Sequence, residues 1–246
     1  MDASLRDRTV LVHGGSGAVG SELVRRLGAM GARVGVVVRR SWQVAHVEQA
    51  LEDAGVPRAR HLVGVVDGAD SEAASGFVKG VEDSLGPLAA MISVVGAFAS
   101  APFGEERTDV AERLWQANFA APVCMARAVA SPMCRRRSGT LVFTGARLVM
   151  EPAPPSSLAL YVASKAALHA LVTSVAADLL SQGVRVALLA PGTIDTSANR
   201  RAMPDADRSN WAPLEAVVDE LLRLANEPPE SPIVVAPARG PIRGQP

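Results

Sequence analysis

Apolar runs and amphipathic stretches alternate along nearly the whole chain. The runs "TVLVH", "ARVGVVV", "RHLVGVV", "LAAMISVV", "GTLVFTG", "VRVALLAP" and "PIVVAP" are continuous in Val, Leu and Ile. A strand with one solvated face alternates apolar with polar. Continuous runs belong to a parallel sheet covered on both sides. Between the runs, apolar positions return at helical spacing. This predicts helices over about Ala18 to Met30, Trp42 to Ala54, Ser71 to Gly86, Thr108 to Met133, Leu158 to Gln182 and Pro213 to Asn226. A Pro-rich loop, "MEPAPPSS", precedes the fifth of these. The alternation predicts an α/β fold: a Rossmann-like, doubly wound parallel sheet of about seven strands, with helices on both faces and right-handed crossovers. No repeat or linker interrupts the pattern, so residues 1–246 read as a single domain. Residues 238–246 lack apolar periodicity and read as a loosely ordered tail.

The junction of the first strand and first helix is "VLVHGGSGAVGSELVRRL", with four glycines in seven residues. Glycine costs conformational entropy, so the loop needs backbone shapes that a side chain forbids. An ordinary βα turn needs one glycine. A phosphate seat needs several, because backbone N–H groups and the helix N-terminus must face an anion closely. Gly15, Gly17 and Gly20 fit the G-x-G-x-x-G spacing of dinucleotide sites, in the required strand–helix context. The loop Gly14, Gly15, Ser16, Gly17, Ala18, Val19 and Gly20 is therefore read as a cofactor seat.

The end of the second strand decides which dinucleotide. An acidic residue about 20 positions on holds the ribose hydroxyls of NAD. Here Arg39 and Arg40 stand there, nineteen and twenty residues after Gly20. A guanidinium pairs with a 2′-phosphate that a carboxylate would repel. NADP(H) is expected over NAD(H). Two solvated arginines at a strand end are the alternative reading.

Composition narrows the classes. Lys plus Arg equals Asp plus Glu, 25 each, which leaves no basic field for nucleic acid. The two cysteines, Cys124 and Cys134, have no metal-type spacing, and no metal site is expected. Reduced thiols in a cytoplasmic setting are expected. The polar start "MDASLRDRT" does not resemble a signal peptide. No uninterrupted apolar run reaches the roughly 20 residues of a membrane helix, so no membrane partner is expected.

The chemistry sits in "LYVASKAALHALV". Tyr161 and Lys165 are spaced i, i+4 and share a helix face. A nearby ammonium is expected to draw the phenol's pKa down, making Tyr161 a general acid for carbonyl or imine reduction. Alone, such a pair could equally be a surface Tyr and Lys. Pro122, four residues after Asn118, has no N–H and leaves the Asn118 carbonyl without its helical partner. A freed buried carbonyl takes a water.

From about Arg8 to Pro237 the chain resembles a short-chain dehydrogenase/reductase. The resemblance rests on "HGGSGAVG", Asp67 after the third strand, Asn118 in "LWQANFAAP", "YVASK" and "APGTIDT". Within that family, "GGSGAVGS", "FTGARL" and "NRRAMPDADRSNWAPLE" resemble dihydropteridine reductases. The resemblance implies that Tyr161 is the proton donor. Lys165 would tune it and hold the nicotinamide ribose, and Asn118 would support a water chain to the lysine. It further places Asp67 at the adenine, Gly96 near its ribose, and Pro191, Gly192, Thr193, Ile194 and Thr196 around the nicotinamide. The family serine falls at Ala146. Thr144, Ser156 or Ser157 are candidates for a substitute hydroxyl, and an activated acceptor needs one less. His13 stands where the family has Thr and reads as a packing residue.

The expected function is hydride transfer from NADPH to a small carbonyl or to an activated imine or quinonoid substrate. Dihydropteridine reduction proper is one alternative. A non-catalytic NADP-binding sensor is another. Residues 196–211 are expected to form an irregular mobile lid, with Met203 and Trp211 beside Ala146 as substrate contacts. A homodimer or homotetramer is expected from an apolar patch carrying Ala121, Met125, Ala167 and Leu171.

Overall fold

A computed structural model describes residues 5–105, 109–227 and 232–235. The expected tail, the start of the fourth helix at Thr108 and the end of the family resemblance at Pro237 lie outside these.

Nine strands and eight α-helices follow in order among the described residues: β1 (Thr9–His13), α1 (Ala18–Ala29), β2 (Arg33–Val38), α2 (Trp42–Asp53), β3 (His61–Val65), α3 (Ser71–Leu85), β4 (Leu88–Ser93), α4 (Asp109–Trp115), α5 (Ala121–Arg136), β5 (Gly139–Thr144), α6 (Ala159–Ser181), β6 (Val184–Ala190), β7 (Ile194–Asp195), α7 (Ser197–Ala202), β8 (Ala212–Pro213), α8 (Leu214–Asn226) and β9 (Ile233–Val235). Seven strands form one sheet in the order β3-β2-β1-β4-β5-β6-β9. Every pairing in it is parallel.

Successive strand residues point to opposite faces, and both faces are covered. Val10 and Val12 of β1 pack with Leu23 and Leu27 of α1 and Val218 and Leu221 of α8. Leu11, between them, packs on the other side with Val81 of α3, Val129 of α5 and Leu168 of α6. That geometry is why these strands read as unbroken apolar runs.

The chain runs outward through β1, β2 and β3, then returns to lay β4 on the far side of β1. The helices that follow β1 and β4 leave toward opposite faces, and a crevice opens at the carboxyl ends of these two strands. This is the switch point where ligands bind in open α/β sheets. His13 and Ser93 end the two strands there, with His13 Nδ1 3.2 Å from Ser93 Oγ.

Three expectations about the elements change. The helix expected from Thr108 to Met133 is broken by a π-turn over Gln116–Ala120. Pro122 supplies no N–H one turn after Asn118, so the bonding widens to i, i+5 at that point. Residues 196–211 are not wholly irregular. Thr196 Oγ1 accepts the Asn199 N–H at 3.1 Å and caps α7. The short β7–β8 pair ties Ile194 to Ala212 and clasps both ends of the segment. Finally, Ser156–Ser181 is, by length and composition only, apolar enough to cross a membrane, its most apolar 18-residue window having a mean hydropathy of 1.5. Small residues and lone polar ones hide this in a reading that requires an uninterrupted run. One face of α6 is buried against the sheet, with Lys165 and His169 on it.

Candidate functional site

The glycine loop is shaped by close approach. A Cβ on Gly20 would stand 2.1 Å from the Gly14 carbonyl oxygen, so α1 can pack on the β1 turn only without one. At Gly17 the case differs: a Cβ there would meet protein no nearer than 3.8 Å, at the Gly14 carbonyl oxygen. The space over Gly17 is open on the ligand side. Gly17 also caps α1 with no side-chain hydrogen bond, and no acidic residue stands in the first turn. The uncapped N–H groups of a twelve-residue helix are a seat for a phosphate. These features fit a dinucleotide pyrophosphate.

A cleft of about 530 Å³ opens beside this loop. Of the positions read from the sequence as cofactor contacts, Gly14, Ser16, Gly17, Arg39, Asp67 and Gly96 line it. Gly15 and Gly20 are buried beneath the loop and Arg40 is exposed at its rim, none of them lining the cleft. His13 lies in the cleft floor, where burial pushes its imidazole down to about 4 and keeps it neutral at pH 7. A larger cleft of about 810 Å³ lies between α3 and α5, but none of the sequence-predicted residues lines it.

Sequence reasoning missed Gln43. Its Nε2 donates to Ser16 Oγ at 2.7 Å, and its Oε1 accepts the Arg40 N–H at 2.8 Å. One amide thus ties the glycine loop to the arginine pair. The signal was present, since position 43 lies in the first turn of the predicted second helix.

Past Gly96 the second group of side chains converges. A Cβ on Gly96 would be 3.0 Å from Asn118 Oδ1 and 3.2 Å from Lys165 Nζ. Asn118 is fully buried in the π-turn. Its Oδ1 accepts the Ala97 N–H at 2.8 Å, and its Nδ2 donates to the Ala97 carbonyl at 3.0 Å and to Ser164 Oγ at 2.9 Å. Ser164 Oγ in turn donates to the Tyr161 carbonyl at 2.7 Å. The segment after β4, the π-turn and α6 are thereby held together at one end of the sheet. Ser164 and Phe98 were not singled out from the sequence. Phe98 sits edge-on to Tyr161 with ring centroids 5.0 Å apart.

The electrostatics of the Tyr–Lys pair correct an expectation. Burial pushes the Tyr161 phenol up to about 12, instead of the ammonium drawing it down. Burial also lowers Lys165 to about 8. The lysine Nζ donates to the Thr144 carbonyl at 3.0 Å. Removing both groups from water destabilises both charged forms, and here that outweighs their mutual attraction.

The other predicted positions lie at the ends of β5 and β6. Ala146, at the family serine position, is buried. Thr144 Oγ1 is buried without a hydrogen-bond partner. Pro191 and Gly192 follow β6, Ile194 starts β7, and Thr196 caps α7. Met203 is half-buried, while Trp211 is 5% exposed, packed under the Arg208 guanidinium. Among the described residues no three His, Cys, Asp or Glu side chains are grouped to hold a metal ion.

Comparison with known proteins agrees with this geometry. The family model "short chain dehydrogenase" matches residues 8–207. The 3-oxoacyl-[acyl-carrier-protein] reductase MabA of Mycobacterium tuberculosis is 30% identical over 194 residues, covering 78% of this chain and 72% of that one. The 2-dehydro-3-deoxy-D-gluconate 5-dehydrogenase of Pseudoalteromonas atlantica is 26% identical over 208 residues, covering 84% and 80%. The crystal structure of a metagenomic short-chain oxidoreductase in complex with NADP superposes with a TM-score of 0.76 at 25% identity, over 95% of this chain and 98% of that one. With four-fifths of its length inside the family model and the seven-stranded parallel sheet that carries it, this chain belongs to the short-chain dehydrogenase/reductase family of oxidoreductases.

Proposed function

We propose that the protein reduces a small carbonyl compound, or an activated imine or quinonoid one, with NADPH as hydride donor and Tyr161 as proton donor. The observation that carries this is the meeting of Lys165 Nζ and Asn118 Oδ1 over Gly96, beside the glycine-loop cleft and one helical turn from Tyr161. Bound NADPH supplies a hydride to the substrate carbon. The chain supplies the rest. Asn118 and Ser164 fix the first turn of α6 and hence the phenol. Phe98 packs edge-on against the phenol ring. At pH 7 the phenol, raised to about 12, is protonated and yields its proton to the far more basic alkoxide or amide formed on reduction. Lys165, lowered to about 8, still carries its charge at pH 7 and can serve the ribose hydroxyls. The cleft residues Asp67 and Gly96 fit the adenosine side, and Pro191 to Thr196 the nicotinamide side. Steady-state NADPH oxidation across quinonoid dihydropterin, quinones, ketones and imines tests the proposal. Cofactor binding without turnover on any of them would favour the sensor reading, which the missing hydroxyl at Ala146 supports.

NADPH is the expected cofactor because Arg39 lines the cleft, with the Arg40 backbone locked to Gln43. Charge-assisted hydrogen bonds are worth roughly 1.5–3 kcal/mol each. Arg39→Ala/Arg40→Ala should therefore weaken NADPH binding by about tenfold or more and leave NADH binding nearly unchanged. Titration of both cofactors by fluorescence checks this. An unaltered preference in the double variant would assign the 2′-phosphate to other groups.

Self-association is also proposed, through a corrected surface. Ala121 and Met125 are buried in the chain's own core and cannot form the patch expected of them. The apolar groove lies instead between α5 and α6, about 370 Å³, lined by Val123, Ala126, Ala130, Leu171, Val175 and Leu179. Helix α6 is apolar on both sides, and a globular helix in that state has a second face to cover. Val175→Asp should convert a dimer or tetramer to smaller species in sedimentation. A wild-type monomer at micromolar concentration would refute the proposal.

A further inference from the structure

An unassigned charge sits on the turn after β5. Four successive residues there are tied down through the backbone. The Thr144 carbonyl accepts from Lys165 Nζ at 3.0 Å. The Gly145 N–H donates to the Leu189 carbonyl at 2.8 Å, and the Arg147 N–H to the Pro191 carbonyl at 2.9 Å. Between them, the Ala146 N–H donates to Nε2 of His169 at 3.2 Å.

The histidine reaches that N–H only because residue 145 is glycine. A Cβ at 145 would stand 2.2 Å from His169 Nε2 and 2.5 Å from Leu188 Cδ2. Nε2 is the acceptor, so the ring is neutral with its proton on Nδ1. Burial and the Lys165 charge push its pKa down to about 4, which preserves that state at pH 7. Lys165 and His169, one turn apart on α6, thus hold the end of β5 at Thr144 and, two residues on, Ala146.

The fixed backbone sends the Arg147 side chain toward the segment after β6. Its guanidinium lies against Gly192: a Cβ there would be 3.3 Å from both Cζ and Nη2. The carboxylate beside it, Glu151, is 3.9 Å from Nε, beyond hydrogen-bond reach, and both side chains are about 40% exposed. A pair so long and so wet contributes little to stability. A guanidinium is therefore presented next to the residue where the family's hydroxyl is missing and against the segment expected at the nicotinamide.

We propose that Arg147 is a specificity-determining residue that binds a carboxylate carried by the substrate, close to the carbon reduced at Tyr161. The fork of N–H donors on a guanidinium matches the two oxygens of a carboxylate, and its fixed charge cannot serve as a proton source. Glu151 holds the guanidinium loosely until a substrate carboxylate replaces it. The proposal rests on the reductase reading for the position of the reacting carbon, and it narrows the substrate to a carbonyl or imine compound bearing an acid group.

The test uses oxamate, a carboxylate-bearing carbonyl analogue, titrated into the full-length protein saturated with NADPH and followed by nucleotide fluorescence. Oxamate should bind the wild type. Arg147→Met should weaken it roughly tenfold or more, Arg147→Lys less, and NADPH affinity should stay unchanged in both. In turnover, acetoacetate should lose to its methyl ester in Arg147→Met through a raised KM, with kcat and ester reduction preserved. Oxamate binding the variant as well as the wild type, or failing to bind the wild type, would overturn the proposal. So would a loss of NADPH affinity in Arg147→Met, which would make Arg147 a cofactor contact. Failure of the reductase reading looks different: no NADPH oxidation with any acceptor, while oxamate binding still depends on Arg147.

Discussion

Tyr161→Phe should lower kcat by about 10²–10⁴-fold, the usual range for a general acid, while NADPH affinity stays nearly unchanged. The phenyl ring preserves the edge-on contact with Phe98 at 5.0 Å and the Tyr161 carbonyl still accepts from Ser164, so the variant keeps the geometry and loses only the proton. An interaction made only as the proton moves appears in kcat, not in ground-state binding. The raised phenol pKa, about 12, adds a pH signature. In the reductive direction the acid form is present throughout pH 6–9, so ionisation of Tyr161 should not limit kcat there. In the oxidative direction the base form is required, and the rate should climb as pH rises. Stopped-flow single turnover with wild type and variant separates this step from release. A Tyr161→Phe enzyme with wild-type kcat would transfer the proton role elsewhere, and Thr144, whose buried hydroxyl has no partner, would be the next group to test.

Much of the scaffold of this site is legible in the sequence, because it depends on local rules. Valine-rich strands and the glycine loop announce themselves by spacing, and two of the residues singled out by motif, Asn118 and Lys165, meet over Gly96. What escapes a linear reading is the set of contacts between distant segments. Gln43 reaches Ser16 across 27 residues, and His169 reaches Ala146 across 23. Nothing in composition or periodicity encodes such a pairing, although His169 lies at i+4 from Lys165 and could have been placed on the same face. The sign of the Tyr161 shift was missed for a related reason. Spacing reveals which charges are near, but not how far water is excluded, and here exclusion prevails. The oligomer patch failed at Ala121 and Met125 because helical spacing alone cannot tell which of two apolar faces meets the sheet.

Lys165→Met should abolish most turnover and weaken NADPH binding, yet make the protein more stable. The ammonium is buried, and desolvation lowers its pKa from 10.5 to about 8. At about 1.4 kcal/mol per pH unit, holding that charge in the fold costs on the order of 3 kcal/mol. The sign follows from proton counting. Between pH 8 and 10.5 the unfolded chain binds more protons at this site than the folded one, so the folded state gains stability as pH rises through that window. Below pH 8 the full cost is present. Methionine removes the charge and keeps most of the stem volume. The loss of the Nζ bond to the Thr144 carbonyl takes back about 1–3 kcal/mol. The net gain of about 0–2 kcal/mol raises Tm by up to roughly 8 °C in a domain of this size. Calorimetry at pH 7 and pH 9.5 checks the account, because the wild type should stabilise between these values more than Lys165→Met does. A variant less stable than wild type at pH 7 would show that the ammonium is a structural tie. Opposite signs of the two effects would mark a buried charge kept for chemistry: on the proposed reading the fold tolerates Lys165 at a cost because it would serve the ribose and the phenol.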